Sequence, residues 1–268
     1  MRTKRIFILI LSVPIFLCPF TCYSTSKQPS ETSVKTFLSR CVLLQKLELL
    51  NLTIFPVKTV ELHKDTIIFT LDEQIKKGKL VVKEISQSGS VHSLLLQNNS
   101  NSYVFIMAGE ILSGAKQDRI LKQDIVLPPK SNKTIVSAFC VEQGRWTYKT
   151  KQFYSENLNA PISIRQVAKI QGSQSSVWKE VGINNQTLSA GSLTDTLSVT
   201  YKSSKVKEES KKFMAVFNNI PYKYPQSNGV IVLVNGKVMV ADLFSRKDIF
   251  QKIWEKLLRS YIVEALRR

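Results

Sequence analysis

Two short segments of the chain concentrate the side chains able to do chemistry. They are Gly109-Glu110-Ile111-Leu112-Ser113-Gly114-Ala115-Lys116-Gln117-Asp118-Arg119 and Cys140-Val141-Glu142-Gln143-Gly144-Arg145-Trp146, each following an apolar run. Glu110 and Glu142 are the candidate catalytic residues, because two carboxylates in one polar site can split their pKa values and act as the acid and base of a hydrolase. Lys116, Gln117, Arg119, Arg145 and Trp146 are the candidate ligand-binding residues. Guanidinium forks and an ammonium suit phosphate or carboxylate, an amide suits bidentate hydrogen bonding, and an indole stacks on a base or sugar. Gly109, Gly114 and Gly144 permit close backbone approach or positive φ. A competing reading pairs Glu110 and Glu142 with Arg119, Arg145 or Lys116 in a buried salt network that locks one end of a sheet. Cys140 as a nucleophile would need a base beside it, and at the inward end of a strand it reads better as a small buried residue.

These segments need elements to bring them together. Residues 52–57, 66–70, 80–85, 91–97, 103–108, 120–127 and 134–141 are short alternating or β-branched runs separated by turn formers, which predicts strands. If 120–127 and 134–141 pair antiparallel about 129–131, Asp118 faces Glu142, Gln117 faces Gln143 and Lys116 faces Gly144, within a residue or two of register. Both polar segments then share one end of the sheet. Thr70 with Glu73 three residues on predicts a capping box, and Gly78 the end of that helix. Asn235-Gly236 between 230–234 and 237–243 is a strong hairpin signal, since a type I′ turn needs positive φ at both central residues. Helices are expected over 34–50, where apolar residues recur at threes and fours, over 205–217, and after Ser245, where Ile249 to Leu266 form an apolar stripe opened by a second capping box with Asp248. Residues 162–204, rich in Ser, Gln, Asn and Thr, read as loops and short helices, with a turn of helix near 176–181. The expected fold is α+β, a mainly antiparallel, sandwich-like β-sheet with a docked C-terminal α-helix and a few short helices.

The chain has 268 residues, 38 basic and 20 acidic, with a formal charge of +18 and 43% hydrophobic residues. That apolar content excludes disorder and collagen-like repeats. Arg2, Lys4 and Arg5, an apolar run over 6–20 and the small residues after Cys22 form the pattern of a secretory signal peptide, with cleavage after Ser24 or Ser26. The organisation read from this is a signal peptide over 1–26, an N-terminal helical extension over 27–47 and a single domain over 48–268, exported to a periplasmic, extracellular or lumenal space. Leu17 before Cys18 and Thr21 before Cys22 disfavour a lipid anchor. No span follows the leader, as no later run reaches about 18 apolar residues. The charge favours an anionic partner such as a phosphorylated small molecule, but the basic residues are scattered and the dense run 202–212 includes Glu208 and Glu209, which argues against specific nucleic-acid binding. Cys41 and Cys140 would be free to pair in an oxidising compartment. With two histidines and no CxxC spacing, no metal site and no cofactor is expected.

The runs GEILSGAKQDRI and CVEQGRW, the upstream NLTIFPV and LDEQIKKGKLVVKE, and the closing DLF and LLRSY resemble, in order, the ARG (ADP-ribosylglycohydrolase) and rhodanese-phosphatase-superfamily-associated domain family. The resemblance covers about 48–268 and carries over Glu110, Lys116, Gln117, Arg119, Cys140, Glu142, Arg145 and Trp146. Asp118 stands where the family is expected to have Asn, which weakens anion binding there. The resemblance implies a place near ADP-ribose or NAD-related processing and brings no catalytic mechanism with it. Three functions follow: a ligand-binding or accessory domain, a hydrolase working through Glu110 and Glu142, or a structural or envelope interaction protein.

Overall fold

The computed structural model describes residues 31–61 and 65–268, so the leader predicted over 1–26 lies outside the described residues. The chain divides into two compact units, Met1–Lys64 with Ile220–Gln251, and Asp65–Asn219 with Lys252–Arg268.

The first unit holds a five-stranded antiparallel sheet. Leu52–Lys58 pairs along one edge with Gly229–Val234, which continues through Asn235-Gly236 into Lys237–Leu243. Asn235 and Gly236 have φ of 51° and 71°, the type I′ signature expected of this dipeptide. The other edge of Leu52–Lys58 takes Val42–Leu43 and Leu47–Leu49. Here the structure departs from the helix expected over 34–50, because the helix Glu31–Leu38 stops short and the rest adds strands to an open edge. Pairing with a neighbouring strand overrides a weak helical spacing.

The second unit contains the two motifs. Its main sheet is six-stranded and antiparallel, in the order Phe153–Asn159, Glu110–Gly114, Arg119–Leu121, Thr134–Cys140, Ser93–Asn98, Leu80–Glu84, and it curls into a half-barrel. A smaller sheet joins Ile125–Leu127, Tyr103–Ile106 and Ile68–Thr70, the last pair parallel. Successive residues of a strand point to opposite faces, and here each face has its own core. Leu112, Leu121 and Ala138 join Leu80, Val82, Leu94 and Leu96 on one face. Ile111, Ile120 and Phe139 point the other way, into a cluster with Ile164, Val177, Val181 and Val263 of the covering helices.

The expected strand over 120–127 is divided. Arg119–Leu121 stays in the main sheet and Ile125–Leu127 crosses to the smaller one, so a single predicted strand serves two sheets. Residues 162–204 contain three helices, Ile162–Ile170, Gln174–Thr187 and Ser198–Lys202, which their polar composition conceals. Buried amides account for the disguise: Asn184 donates to Thr200 Oγ1 at 2.9 Å, and Thr200 donates to Asn185 Oδ1 at 2.8 Å. The expected helix over 205–217 is Ser204–Phe217. The C-terminal helix Lys247–Leu266 buries the anticipated stripe, including Ile253, Leu257, Tyr261 and Ala265, but Lys256, Ser260 and Glu264 are buried as well. Apolar periodicity identifies one packed face and misses a second made of polar side chains.

The helix Leu71–Lys76 begins with the predicted capping box: the Glu73 carboxylate accepts from the Thr70 amide at 2.7 Å, and the Thr70 hydroxyl accepts from the Glu73 amide. It ends at Gly78, whose φ of 64° lets its amide reach Ile75 O while the Lys79 amide reaches Gln74 O. Replacing Thr70 by Ala is expected to lower stability by about 1 kcal/mol in urea unfolding, with Thr70→Ser close to the parent. Equal stability of the two variants would mean that the cap contributes nothing.

Candidate functional site

The first motif is a hairpin rather than a loop. Glu110–Gly114 pairs with Arg119–Leu121 in the register Ile111↔Ile120 and Leu112↔Arg119, joined by a turn over 115–118. Gly109 has φ of 85°, and a Cβ there would lie 2.5 Å from Asn159 Oδ1, so both conformation and space demand glycine. The second motif follows the neighbouring strand. Cys140 lies opposite Arg119 and Ala138 opposite Leu121, within one residue of the expected register. Gln117 reaches Gln143 O at 3.4 Å, and Glu142 Oε2 accepts from the Asp118 amide at 2.9 Å. The two motifs therefore meet as their spacing predicts.

Arg145 is the hub of that meeting. Its Nε and Nη2 donate to the two oxygens of Glu142 at 3.0 and 2.6 Å. The same guanidinium donates to the carbonyls of Ala115 at 2.6 Å, Thr147 at 2.8 Å and Gly114 at 3.2 Å, and approaches Asp118 Oδ1 at 3.5 Å. Burial alone would raise the Glu142 pKa, but hydrogen bonds from Arg145 and the Asp118 amide outweigh it and hold the carboxylate below its ordinary range. Asp118 goes the other way: burial pushes it up, more than the Thr196 hydroxyl and Arg145 pull it down. Its two oxygens accept from the Gly114 amide at 3.0 Å and the Thr196 hydroxyl at 2.7 Å. The segment over 192–196 covers this site, with Glu142 bridged to Thr196 and the Gly144 amide donating to Thr194 O at 3.0 Å.

Arg119 lies deeper, fully buried, donating to Glu84 Oε1 at 3.3 Å and Ser90 O at 3.2 Å. Burial lowers its pKa, and Glu84 offsets that loss in part. It also contacts Cys140 Sγ. The Cys140 backbone is bracketed by the Gln174 amide at 2.8 Å in both directions, so this thiol is a packed strand-end residue. Cys41 and Cys140 are both free thiols.

Glu110 belongs to another cluster. The Lys256 ammonium, itself buried, contacts both Glu110 and Asp72, and Ser155 donates to Asp72. Burial pushes the Glu110 carboxyl up to about 7, more than Lys256 pulls it down. Burial would likewise lower the Lys256 ammonium, but Glu110 and Asp72 outweigh it and hold that pKa above its ordinary value. Among the described residues no hydrogen bond or ion pair joins Glu110 to Glu142. The carboxylate beside Glu110 is Asp72, which lies, like Glu84, within the stretch LDEQIKKGKLVVKE.

Lys116 and Trp146 keep a share of solvent. Trp146 is 42% exposed and Tyr148, two residues on, 47% exposed. The Lys116 ammonium sits 5.3 Å from the Trp146 ring and 5.1 Å from the Tyr148 ring, donating to Ser88 O at 2.7 Å. Behind Trp146 lies Arg119, 5.3 Å from the ring. Tyr148 went unnoticed in the sequence, although the spacing W-x-Y places it beside Trp146. Two surface grooves, of about 500 and 450 Å³, are lined by residues outside both motifs. Among the described residues no group of three or more His, Cys, Asp or Glu side chains is placed to hold a metal, and no helix is long and apolar enough to cross a membrane.

A raised carboxyl pKa favours the protonated folded state, so Glu110 contributes stability below about pH 4.5 that is lost as pH rises through about 7. Relative to Glu110→Gln, the parent is expected to lose on the order of 3 kcal/mol across that window in urea unfolding at a series of pH values. A difference that stays flat with pH would show Glu110 ionised throughout.

The sequence pattern of the ARG and Rhodanese-Phosphatase-superfamily-associated Protein domain matches residues 40–268. No curated protein and no solved structure matches the chain. Since that pattern takes in both motifs, the half-barrel and the C-terminal helix, the chain belongs to the ARG and Rhodanese-Phosphatase-superfamily-associated Protein domain family.

Proposed function

We propose that the protein is an exported ligand-binding or accessory domain whose ligand is an anion carrying a ring, of the class to which ADP-ribose and other phosphorylated nucleosides belong. The observation that carries this reading is the division of labour within the motifs. Glu142, Arg145 and Asp118 spend their charge on one another and on backbone carbonyls, and Arg119 on Glu84, while Trp146 and Tyr148 are exposed and half-buried Lys116, bonded to Ser88 O, lies beside both rings. An indole and a phenol flanking an ammonium offer stacking to a ring and a counter-charge to a phosphate. The charge of +15 that remains once Arg2, Lys4 and Arg5 leave with the leader attracts such a ligand from a distance. Export rests on the leader pattern within 1–26, and mass spectrometry of the secreted N-terminus tests it through cleavage after Ser24 or Ser26.

The hydrolase reading keeps one observation in its favour. Glu110, pushed up to about 7, has the pKa of a general acid at neutral pH, and its second carboxylate is Asp72 rather than Glu142. It is the weaker reading because Glu110 is 1% exposed and already bound to Lys256.

A ligand that binds only the folded state raises the melting temperature by mass action. In a thermal-shift series with ADP-ribose, NAD, inorganic phosphate and acidic glycans, ADP-ribose or NAD is expected to raise the melting temperature of the purified protein. Lys116→Ala and Trp146→Ala should each abolish that shift while melting near the parent without ligand. No shift with any ligand, or one that survives both substitutions, would contradict the proposal. Release of free ADP-ribose that is lost in Glu110→Gln would favour the hydrolase.

A further inference from the structure

The larger of the two grooves lies far along the chain from both motifs, in the helical part of the second unit. One wall is the helix Ser204–Phe217 and the other is the C-terminal helix. Lys207, Lys211, Met214 and Asn218 follow one another at intervals of three and four, so they share one stripe of the first helix. Arg259 and Val263, four apart, face them from the second. The Trp254 indole donates to Phe217 O at 3.2 Å and Asn218 O at 2.9 Å, which holds the end of one helix to the other and fixes the width of the groove.

The chemistry of the lining is one-sided. Three cations, Lys207, Lys211 and Arg259, line the groove, and none of its lining residues is acidic. Below them the floor is apolar, with Val206, Val263 and Tyr201 all buried. Arg259 and Lys211 do have acidic partners, Glu255 and Glu208, but those lie outside the groove and the pairs are half-exposed or more. Exposed pairs of this kind contribute little, so either cation turns toward a ligand at small cost. The Lys207 side chain has no partner among the described residues. A volume of about 500 Å³ lies within the range of small-molecule sites.

We propose that this groove binds a small amphiphilic anion, one carboxylate or phosphate group on an apolar body. The anionic group sits among Lys207, Lys211 and Arg259, and the apolar body lies over Met214 and Val263. A free phosphate lacks the apolar part and a neutral alcohol lacks the charge, so neither alone satisfies the groove. The site is independent of Lys116, Trp146 and Tyr148.

cis-Parinaric acid, a fluorescent polyene carboxylate with an apolar chain and no ring, has the required build and serves as the probe. The folded protein is expected to bind it one-to-one, with displacement by octanoate and octyl phosphate but not by equal concentrations of octanol or inorganic phosphate. Lys207→Glu with Arg259→Glu should weaken probe binding by about tenfold or more, whereas Lys83→Glu, an exposed strand residue outside the groove lining, should leave it unchanged. Cooperative urea unfolding of each variant confirms that it is folded. Displacement by octyl phosphate alone would assign the anion as a phosphate, and displacement by octanoate alone as a carboxylate; either supports the proposal. Binding that survives the double reversal, or displacement by octanol as effective as by octanoate, would overturn it.

Discussion

The arrangement of both motifs depends on a single constraint, the need to neutralise and hydrogen-bond the Arg145 guanidinium where little water reaches it. A buried charge is tolerable only with a counter-charge and with its remaining donors satisfied. Glu142 supplies the counter-charge in bidentate form, and three backbone carbonyls take the other donors. Two of those carbonyls, Gly114 and Ala115, belong to the first motif, in a turn where both residues have positive φ. Removing the guanidinium would take a charged donor from the carbonyls of Gly114 and Ala115, the latter keeping the Lys149 amide at 2.8 Å, and leave Glu142 without its cation. Arg145 thus ties the hairpin to the strand end, while Asp118, Glu142 and Gly144 hold the covering segment over 192–196.

From this constraint follows what the surface can do. Charge spent inward is not available to a ligand, so the motif's capacity for recognition passes to the residues on its rim. Lys116, Trp146 and Tyr148 occupy that rim, and the buried Arg119 behind Trp146 keeps its ring in place. Lys256 plays a comparable part for Glu110 and Asp72, at a distinct cluster. The buried charges of Arg145 with Glu142, Arg119 with Glu84 and Lys256 with Glu110 and Asp72 are thus met within the protein, and a ligand is proposed for the face that carries Lys116, Trp146 and Tyr148.

Much of this was legible in the sequence, and for identifiable reasons. Asn235-Gly236, Thr70 with Glu73, and Gly78 each encode a backbone conformation locally, and each appears as expected. The meeting of the motifs follows from strand pairing, which fixes partners to within a residue. What escaped was set by tertiary contact: the division of 120–127 between two sheets, the helices of 162–204 built on buried amides, and the polar buried face carrying Lys256. The pairing of Glu110 with Glu142 was inferred from their shared proximity to one sheet end. Position along a strand does not reveal which face a carboxylate enters, and Asp72 and Lys256 come from elements more than thirty residues away in sequence.

The central claim, that the charged core of the motifs is a structural clasp, is tested most directly by a double-mutant cycle between Glu142→Gln and Arg145→Met, followed by urea unfolding. A clasp predicts a coupling energy of about 2 kcal/mol or more, with Arg145→Met alone costing about 3 kcal/mol or more because it strands a buried carboxylate. Coupling near zero, with Arg145→Met as stable as the parent, would contradict the account and return both residues to the role of a free binding site.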